Sequence, residues 1–307
     1  MIPSEPTTGI SAPPQASSPY TGRFAPSPSG PLHFGSLIAA LGSYLQARRA
    51  GGRWLVRIED LDTPRNRPGA ADIILQQLEL LGLHADGIVI NQSARLQAYR
   101  DALKQLESIG YTFGCGCSRA ELNEGIYPGT CRNGVPPGKR ARAIRLRVSG
   151  ERVEFNDSIQ GIFGQNLGTD VGDFVVRRAD NIIAYHLAVV VDDAWQDVTE
   201  IVRGADLLDS TPRQIYLQRL LGLRTPRYAH LPLAVDAKGR KISKQDGAPA
   251  IDTAAAGIAL WEALSFLGQA PESSLRKSKP AEILDWACRH WQLERVPRQR
   301  QITVSVS

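Results

Sequence analysis

Between residues 23 and 36 the sequence reads RFAPSPSGPLHFGS, with prolines at positions 26, 28 and 31. Proline has no N–H for a strand ladder and cannot continue a helix, so the chain must leave one regular element here and begin another. The next run, FGSLIAALGSYLQARRAGG, sets Leu37, Ile38, Leu41, Tyr44 and Leu45 on one helical face, and Gly51-Gly52 stops it. RWLVRIEDLD then reads as a strand ending in the acids Glu59, Asp60 and Asp62. Strand, loop, helix and strand in this order form a βαβ unit, which places the chain in the α/β class. Ligands of such sheets sit at the carboxyl ends of the strands, where both the proline loop and Glu59 fall. A loop at a helix N-terminus offers N–H groups and the positive end of the helix dipole, which suits a phosphate. Ser27, Ser29, Gly30 and Gly35 would let that phosphate approach the backbone closely. The stretch alone also fits an ordinary strand-to-helix turn in which His33 fills a gap.

Two further helices are expected, AADIILQQLELLGL and RLQAYRDALKQLESIG, the second with Leu96, Tyr99, Leu103 and Leu106 at heptad-like spacing. The texture then changes. FGCGCSRAELNEGIYPGTCRNGVPPGKR is turn-rich and holds three of the four cysteines, a small module rather than core. AIRLRVSG and ERVEFND alternate like the two arms of a hairpin. Strand and helix alternate again from Gly172, and DSTPRQ predicts a helix start with Ser210 or Thr211 as cap and Pro212 in the first turn. Residues 1–20, rich in Pro, Ser and Thr, are expected to be a disordered tail, neither signal peptide nor anchor. No window approaches eighteen apolar residues, so no membrane span is predicted. Three clustered cysteines and a lone Cys288, expected to be a small buried side chain, suit a metal site in a reducing cytoplasm better than a disulfide framework. A net charge of +5 is suggestive of a polyanionic partner.

A second loop, KGRKISKQDG, carries Lys238, Lys241 and Lys244 between glycines. Lys241 and Lys244 are three apart and could grip one polyphosphate from one side, where mobile ammonium groups suit a departing pyrophosphate. A solvated basic loop is the plainer reading.

Together PSPSGPLHFGS and KISKQ resemble the two signature sequences of class I aminoacyl-tRNA synthetases. RFAPSPSGPLHFGSL, RIEDLD, DFVVRRAD, IVRGADLLDSTPRQ and HLPL are similar, in the same order, to the glutamyl-tRNA synthetase catalytic core over about residues 21 to 250. Only 62 residues follow Gln245, and CGC followed by YPGTC narrows the resemblance to the glutamyl-Q tRNA(Asp) synthetases, truncated paralogues without the anticodon-binding half. The resemblance implies a Rossmann-like nucleotide-binding α/β fold with an inserted zinc-bearing module and a short helical C-terminal region. Its expected divisions are a tail (1–20), a first catalytic half (21–110), the zinc module (111–170), a second half with the lysine loop (171–250) and the helical end (251–307). It further implies a cytoplasmic monomer, off the membrane, that activates L-glutamate with ATP and without tRNA, then transfers it to queuosine at the wobble position of tRNA(Asp). Two alternatives are a truncated glutamyl-tRNA synthetase charging the 3′ end of tRNA(Glu), and a non-catalytic RNA-binding relative.

The same resemblance assigns residues. His33, Lys241 and Lys244 would serve catalysis, with His33, Gly35 and Lys244 on ATP. Arg23, Phe24, Ala25, Pro26, Ser27, Glu59, Tyr185 and Arg203 would hold glutamate. The residue types agree: planar guanidinium forks suit carboxylates, and Glu59 can pair with the substrate ammonium. Structural pairing of Arg23 and Arg203 with Asp60 or Asp206, and a core role for Tyr185, are the competing readings. Cys115, Cys117 and Cys131 with Tyr127 would hold one structural Zn²⁺, water or His84 being rivals for the fourth place. Mg²⁺ is expected with ATP. The signatures depart from the pattern at Ser36, where a second histidine is usual, and in KISKQ, which lacks a final serine. His186 and His230 are candidates for the ATP side.

Overall fold

The computed structural model describes residues 19–122, 126–241 and 251–304. Strand β1 (Thr21–Phe24), helix α1 (Phe34–Arg49) and strand β2 (Arg53–Ile58) form the expected βαβ unit, and β1 and β2 pair in parallel. After α2 (Ala70–Leu80), the short β3 (Ile90–Asn91) extends the sheet beside β2. Helix α3 (Leu96–Ser108) leads to β4 (Thr112–Cys115), β5 (Ala143–Leu146), β6 (Arg152–Asp157), β7 (Gly161–Asn166) and β8 (Phe174–Arg177). Then come α4 (Tyr185–Trp195), β9 (Glu200–Gly204), α5 (Thr211–Leu220), β10 (Arg227–Leu231) and β11 (Leu233–Val235). Helices α6 (Ala256–Phe266) and α7 (Pro280–His290) and strand β12 (Gln301–Thr303) complete the described elements. Strands β9 and β10 are parallel, and Thr199 joins them to β1 by exchanging hydrogen bonds with Thr21. The carboxyl ends of β1, β2, β9 and β10 therefore open on one side.

Several expectations change. Helix α1 is buried nearly all round, at Ala40, Gly42, Ser43 and Ala47 as well as along the predicted face, because α6 and α7 cover what the sheet does not. At Gly42 a Cβ would lie 2.7 Å from Leu231 Cδ1, so glycine lets α1 approach β10. Tyr20, assigned to the tail, is buried in this core, while residues 1–18 lie outside the described residues. The expected hairpin is not one. β5 lies between β4 and β8 in an antiparallel sheet that runs on to Arg177, beyond residue 170, whereas β6 pairs with β7 and touches β10. Alternation marks a strand as half-buried but does not name its partner. Ser210 takes the N-cap position of α5 without a side-chain bond, and Thr211 instead donates back to the Leu207 carbonyl. The C-terminal region is not purely helical: β12 pairs in parallel with β11, and Trp291 Nε1 donates to Gln46 Oε1 of α1 at 2.8 Å. Cys288 is half-buried against the same core.

Helix α4 joins the two halves through Asp192, which is fully buried and accepts from Gln92 Nε2 (2.8 Å), Arg95 Nε (2.7 Å) and the Tyr99 hydroxyl (2.7 Å). Removing it would leave Arg57 and Arg95 without this counter-charge. Asp192→Ala is expected to lower unfolding stability by about 3–5 kcal/mol in urea denaturation. A loss below about 1 kcal/mol, the scale of one ordinary hydrogen bond, would show that the carboxylate does not tie the halves together.

Candidate active site

The proline loop is fixed by backbone bonds rather than left open. Glu59 N–H donates to the Pro26 carbonyl and Arg67 N–H to the Pro28 carbonyl, each at 2.9 Å, which brings the loop against the end of β2. His33 is the N-cap of α1. Its Nδ1 accepts from Ser36 N–H and Ser36 Oγ accepts from His33 N–H, both at 3.3 Å. The serine that departs from the usual signature thus closes a reciprocal capping box and sets the imidazole at the helix start.

A cavity of about 740 Å³ opens at the strand ends, within the range of ligand pockets. Arg23, Phe24, Ala25, Pro26, Ser27, His33, Gly35, Glu59, Tyr185, Arg203 and Lys241 all border it. The Phe24 ring stacks on Trp54, centroids 6.3 Å apart. Lys241 pairs with Asp206 at 2.5 Å on the rim. Lys244 lies outside the described residues. His186 and His230 do not border the cavity: His186 meets the Phe174 ring edge-on, and His230 is buried behind Arg203. Burial holds His186 neutral, down to about 3.

The arginines do not take the acids suggested by the sequence. Asp60 accepts from Ser93, and Asp206 is held by Lys241. Arg23, 3 % exposed, donates from Nε to Asp193 at 3.1 Å. Arg57 lies beneath it, fully buried, and its Nη2 donates to Asp193 at 2.8 Å and to Glu59 at 3.4 Å. Burial raises the Glu59 carboxyl above its ordinary value despite Arg57 and Arg23, so a cation arriving in the cavity would favour its charged form. Burial likewise raises Tyr185, whose hydroxyl lies 3.4 Å from Arg203 Nη1. Asp193, Arg57 and Asp157 were absent from the sequence reading, whose only local signal for them was charged residues inside otherwise apolar runs, and His230 was read there only as a candidate for the ATP side. The cavity thus presents guanidinium groups and a helix N-terminus for anions, and the Glu59 carboxylate for a cation, with Asp206 at its rim already paired with Lys241.

Cys115, Cys117 and Cys131 bring their sulfurs within 4.8 Å of one another. Cys117 and Cys131 Sγ are 3.6 Å apart, and the Tyr127 hydroxyl is 3.6 Å from Cys115 Sγ and 3.9 Å from Cys117 Sγ. A tetrahedron with metal–sulfur bonds of about 2.3 Å has edges of about 3.8 Å, so these four donors could hold one metal ion. Burial would raise the Cys115 thiol, but its hydrogen bonds with Arg145 and Tyr127 bring it to about 7, toward the thiolate a metal needs. His84 is elsewhere, exposed and paired with Glu79 at 3.1 Å.

No described helix is long and apolar enough to cross a membrane. Residues 20–128 and 129–262 match the family model for the catalytic domain of class I tRNA synthetases (E and Q). A glutamyl-Q tRNA(Asp) synthetase of Dechloromonas aromatica (strain RCB) is 54% identical over 295 residues, which cover 93% of this chain and 98% of that relative. Another, from Thiobacillus denitrificans (strain ATCC 25259 / T1), is 55% identical over 284 residues, covering 90% and 94%. The glutamate-tRNA synthetase structure from Elizabethkingia anophelis shares the fold with a TM-score of 0.79 and 24% identity, over 94% of this chain and 68% of that one. With the catalytic domain matched and more than half of the residues identical along nearly the whole of those relatives, the chain belongs to the class I (E and Q) tRNA synthetase family, among the glutamyl-Q tRNA(Asp) synthetases.

Proposed function

We propose that this enzyme activates L-glutamate with ATP, without tRNA, and passes the glutamyl group to queuosine at the wobble position of tRNA(Asp) in the cytoplasm. The observation that carries the reading is one cavity in which Arg23, Arg203 and Glu59 face the N-terminus of α1. Glutamate has two carboxylates and one ammonium, and the cavity offers the matching charges. One substrate carboxylate attacks the α-phosphorus of ATP, an O–P bond forms, and the bond to pyrophosphate breaks. The substrate is the nucleophile, so the protein positions the reactants and stabilises charge. Arg23 and Arg203 hold carboxylate, Glu59 the ammonium, and Tyr185 adds a hydroxyl; Phe24, Ala25, Pro26 and Ser27 shape the wall. His33 and Gly35 receive the phosphates at the helix start, and Lys241 and Lys244 neutralise the departing pyrophosphate. Mg²⁺ would arrive on ATP, since the cavity carboxylates Glu59 and Asp206 are already paired with Arg57 and Lys241. A nucleophile of the queuosine then displaces AMP from the glutamyl carbonyl.

Glutamate-dependent exchange of labelled pyrophosphate into ATP is expected with no RNA present. Exchange that begins only when tRNA(Glu) is added would overturn the tRNA-independent reading and favour a truncated glutamyl-tRNA synthetase. His33→Ala is expected to slow exchange about 100-fold with an unchanged circular dichroism spectrum; a near-normal rate would remove His33 from the phosphate site.

We further infer that Cys115, Cys117, Cys131 and Tyr127 hold one Zn²⁺, which would brace the module when bound. Three thiols and a phenol within tetrahedral reach support this donor set. Elemental analysis of the purified chain should find close to one zinc per molecule, lost in Cys131→Ser. Three freely titrating thiols and no stoichiometric zinc would refute it.

A further inference from the structure

Arg203 reaches the cavity from β9, yet most of its donors point away from it. Nε–H donates to His230 Nε2 at 3.0 Å, and Nη2 donates to Thr211 Oγ1 at 2.9 Å and Gln214 Oε1 at 2.8 Å. Nη1 is left for the cavity, with the Tyr185 hydroxyl 3.4 Å away. His230 can accept from Arg203 only through an unprotonated Nε2, so its proton must sit on Nδ1. Nδ1 lies 2.6 Å from Asp157 Oδ2, and both side chains are fully shielded from solvent. Burial keeps His230 neutral, down to about 4. Burial would raise Asp157, but the hydrogen bond from His230 holds it below the usual carboxylate range.

We propose that Asp157 and His230 are positioning residues for glutamate: the carboxylate fixes the imidazole as its Nδ1–H tautomer, and the imidazole turns Arg203 so that Nη1 meets a substrate carboxylate. The inference rests on the proposed glutamate pocket. Buried hydrogen bonds behind a ligating group set its orientation, and a misaimed guanidinium loses its bidentate fit. Asp157 comes from the β6–β7 hairpin and Arg203 from the parallel sheet, so the hairpin reaches the pocket through this chain of bonds without bordering it.

The two oxygens of Asp157 divide the work, which permits a selective test. Oδ1 accepts from the N–H groups of Ile159 (3.0 Å), Gln160 (2.8 Å) and His230 (3.1 Å), whereas Oδ2 takes the imidazole. In Asp157→Asn the amide oxygen can keep the backbone bonds, while the amide NH₂ replaces Oδ2 and donates to Nδ1. The His230 proton then moves to Nε2 and faces the Arg203 Nε–H, donor against donor. Nitrogen-15 spectra of histidine-labelled protein should show this switch. In pyrophosphate exchange the KM for glutamate should rise about tenfold, with the KM for ATP within about twofold of the parent. An unmoved tautomer, or a moved tautomer with an unmoved glutamate KM, overturns the proposal. Should Asp157→Asn fail to fold, His230→Gln and His230→Leu decide: the glutamine, which restores an acceptor, should recover most of the affinity that leucine loses, and equal behaviour would defeat the relay. Arg203→Ala separates the two levels of failure. If it leaves the glutamate KM unchanged, the pocket itself is misassigned; if it raises the KM while Asp157→Asn does not, only the relay falls.

Discussion

Arg57 is fully buried and cannot discharge, and the rest of the structure is arranged around that constraint. Taking one charge of this size into a low-dielectric interior costs, in the idealised limit, on the order of 20 kcal/mol. The guanidinium is therefore surrounded by acids: Asp192 at 3.8 Å, Asp193 at 2.8 Å and Glu59 at 3.4 Å. Two come from α4 and one from the end of β2, so α4 must dock across the strand ends for the charges to balance. One side of the lattice is structural, where Asp192 gathers Gln92, Arg95 and Tyr99. The other side faces the cavity, where Asp193 steadies Arg23 and Arg57 holds Glu59. Buried ion pairs of this kind contribute little net stability, but they permit few alternative arrangements.

How much of this was legible in the sequence follows from distance along the chain. The β1–α1–β2 unit was readable because its proline loop, helix and strand are contiguous. The sulfur cluster was readable for the same reason: its three cysteines fall within one short loop region and do converge. Arg23, Glu59, Tyr185 and Arg203 came from family resemblance, and the structure places all four on one cavity. Their supports were not readable. Asp193 lies 170 residues from Arg23, and Asp157 lies 73 from His230. Spacing constrains groups on one element, not side chains that meet only once distant elements have paired in a sheet or a helix has docked on it. The false hairpin has the same origin, since β5 and β6 alternate correctly but bond to different partners. The histidines failed differently: beside a nucleotide-binding signature His186 and His230 look functional, yet both are behind the cavity wall.

The C-terminal region shows how a segment without evident chemistry can still act on the site. Strand β12 pairs with β11, and Val304 N–H donates to the Val235 carbonyl at 2.9 Å. Immediately beyond, Asp236 accepts from the N–H groups of Lys238 and Arg240, forming the turn that delivers Lys241 to the rim. Strand β12 therefore fixes where the lysine loop begins, and α6, α7 and Trp291 fix that strand against α1.

The two ends of the cavity differ in how firmly their charges are held, and the proposed chemistry needs that difference. At the proposed amino-acid end Arg23 and Arg203 are almost wholly buried, Arg23 held by Asp193 and Arg203 by His230, Thr211 and Gln214. Their geometry is set before a substrate arrives, so ordering them costs little on binding. At the proposed phosphate end Lys241 is paired with Asp206 in the open, their side chains 41% and 37% exposed. An exposed pair of this kind contributes at most about 1 kcal/mol. A polyphosphate can therefore displace Asp206 at small cost, and the ammonium can follow the charge as pyrophosphate leaves. In the proposed reaction, rigid guanidinium groups would select the amino acid, and a lysine that exchanges partners would accommodate a group whose position changes.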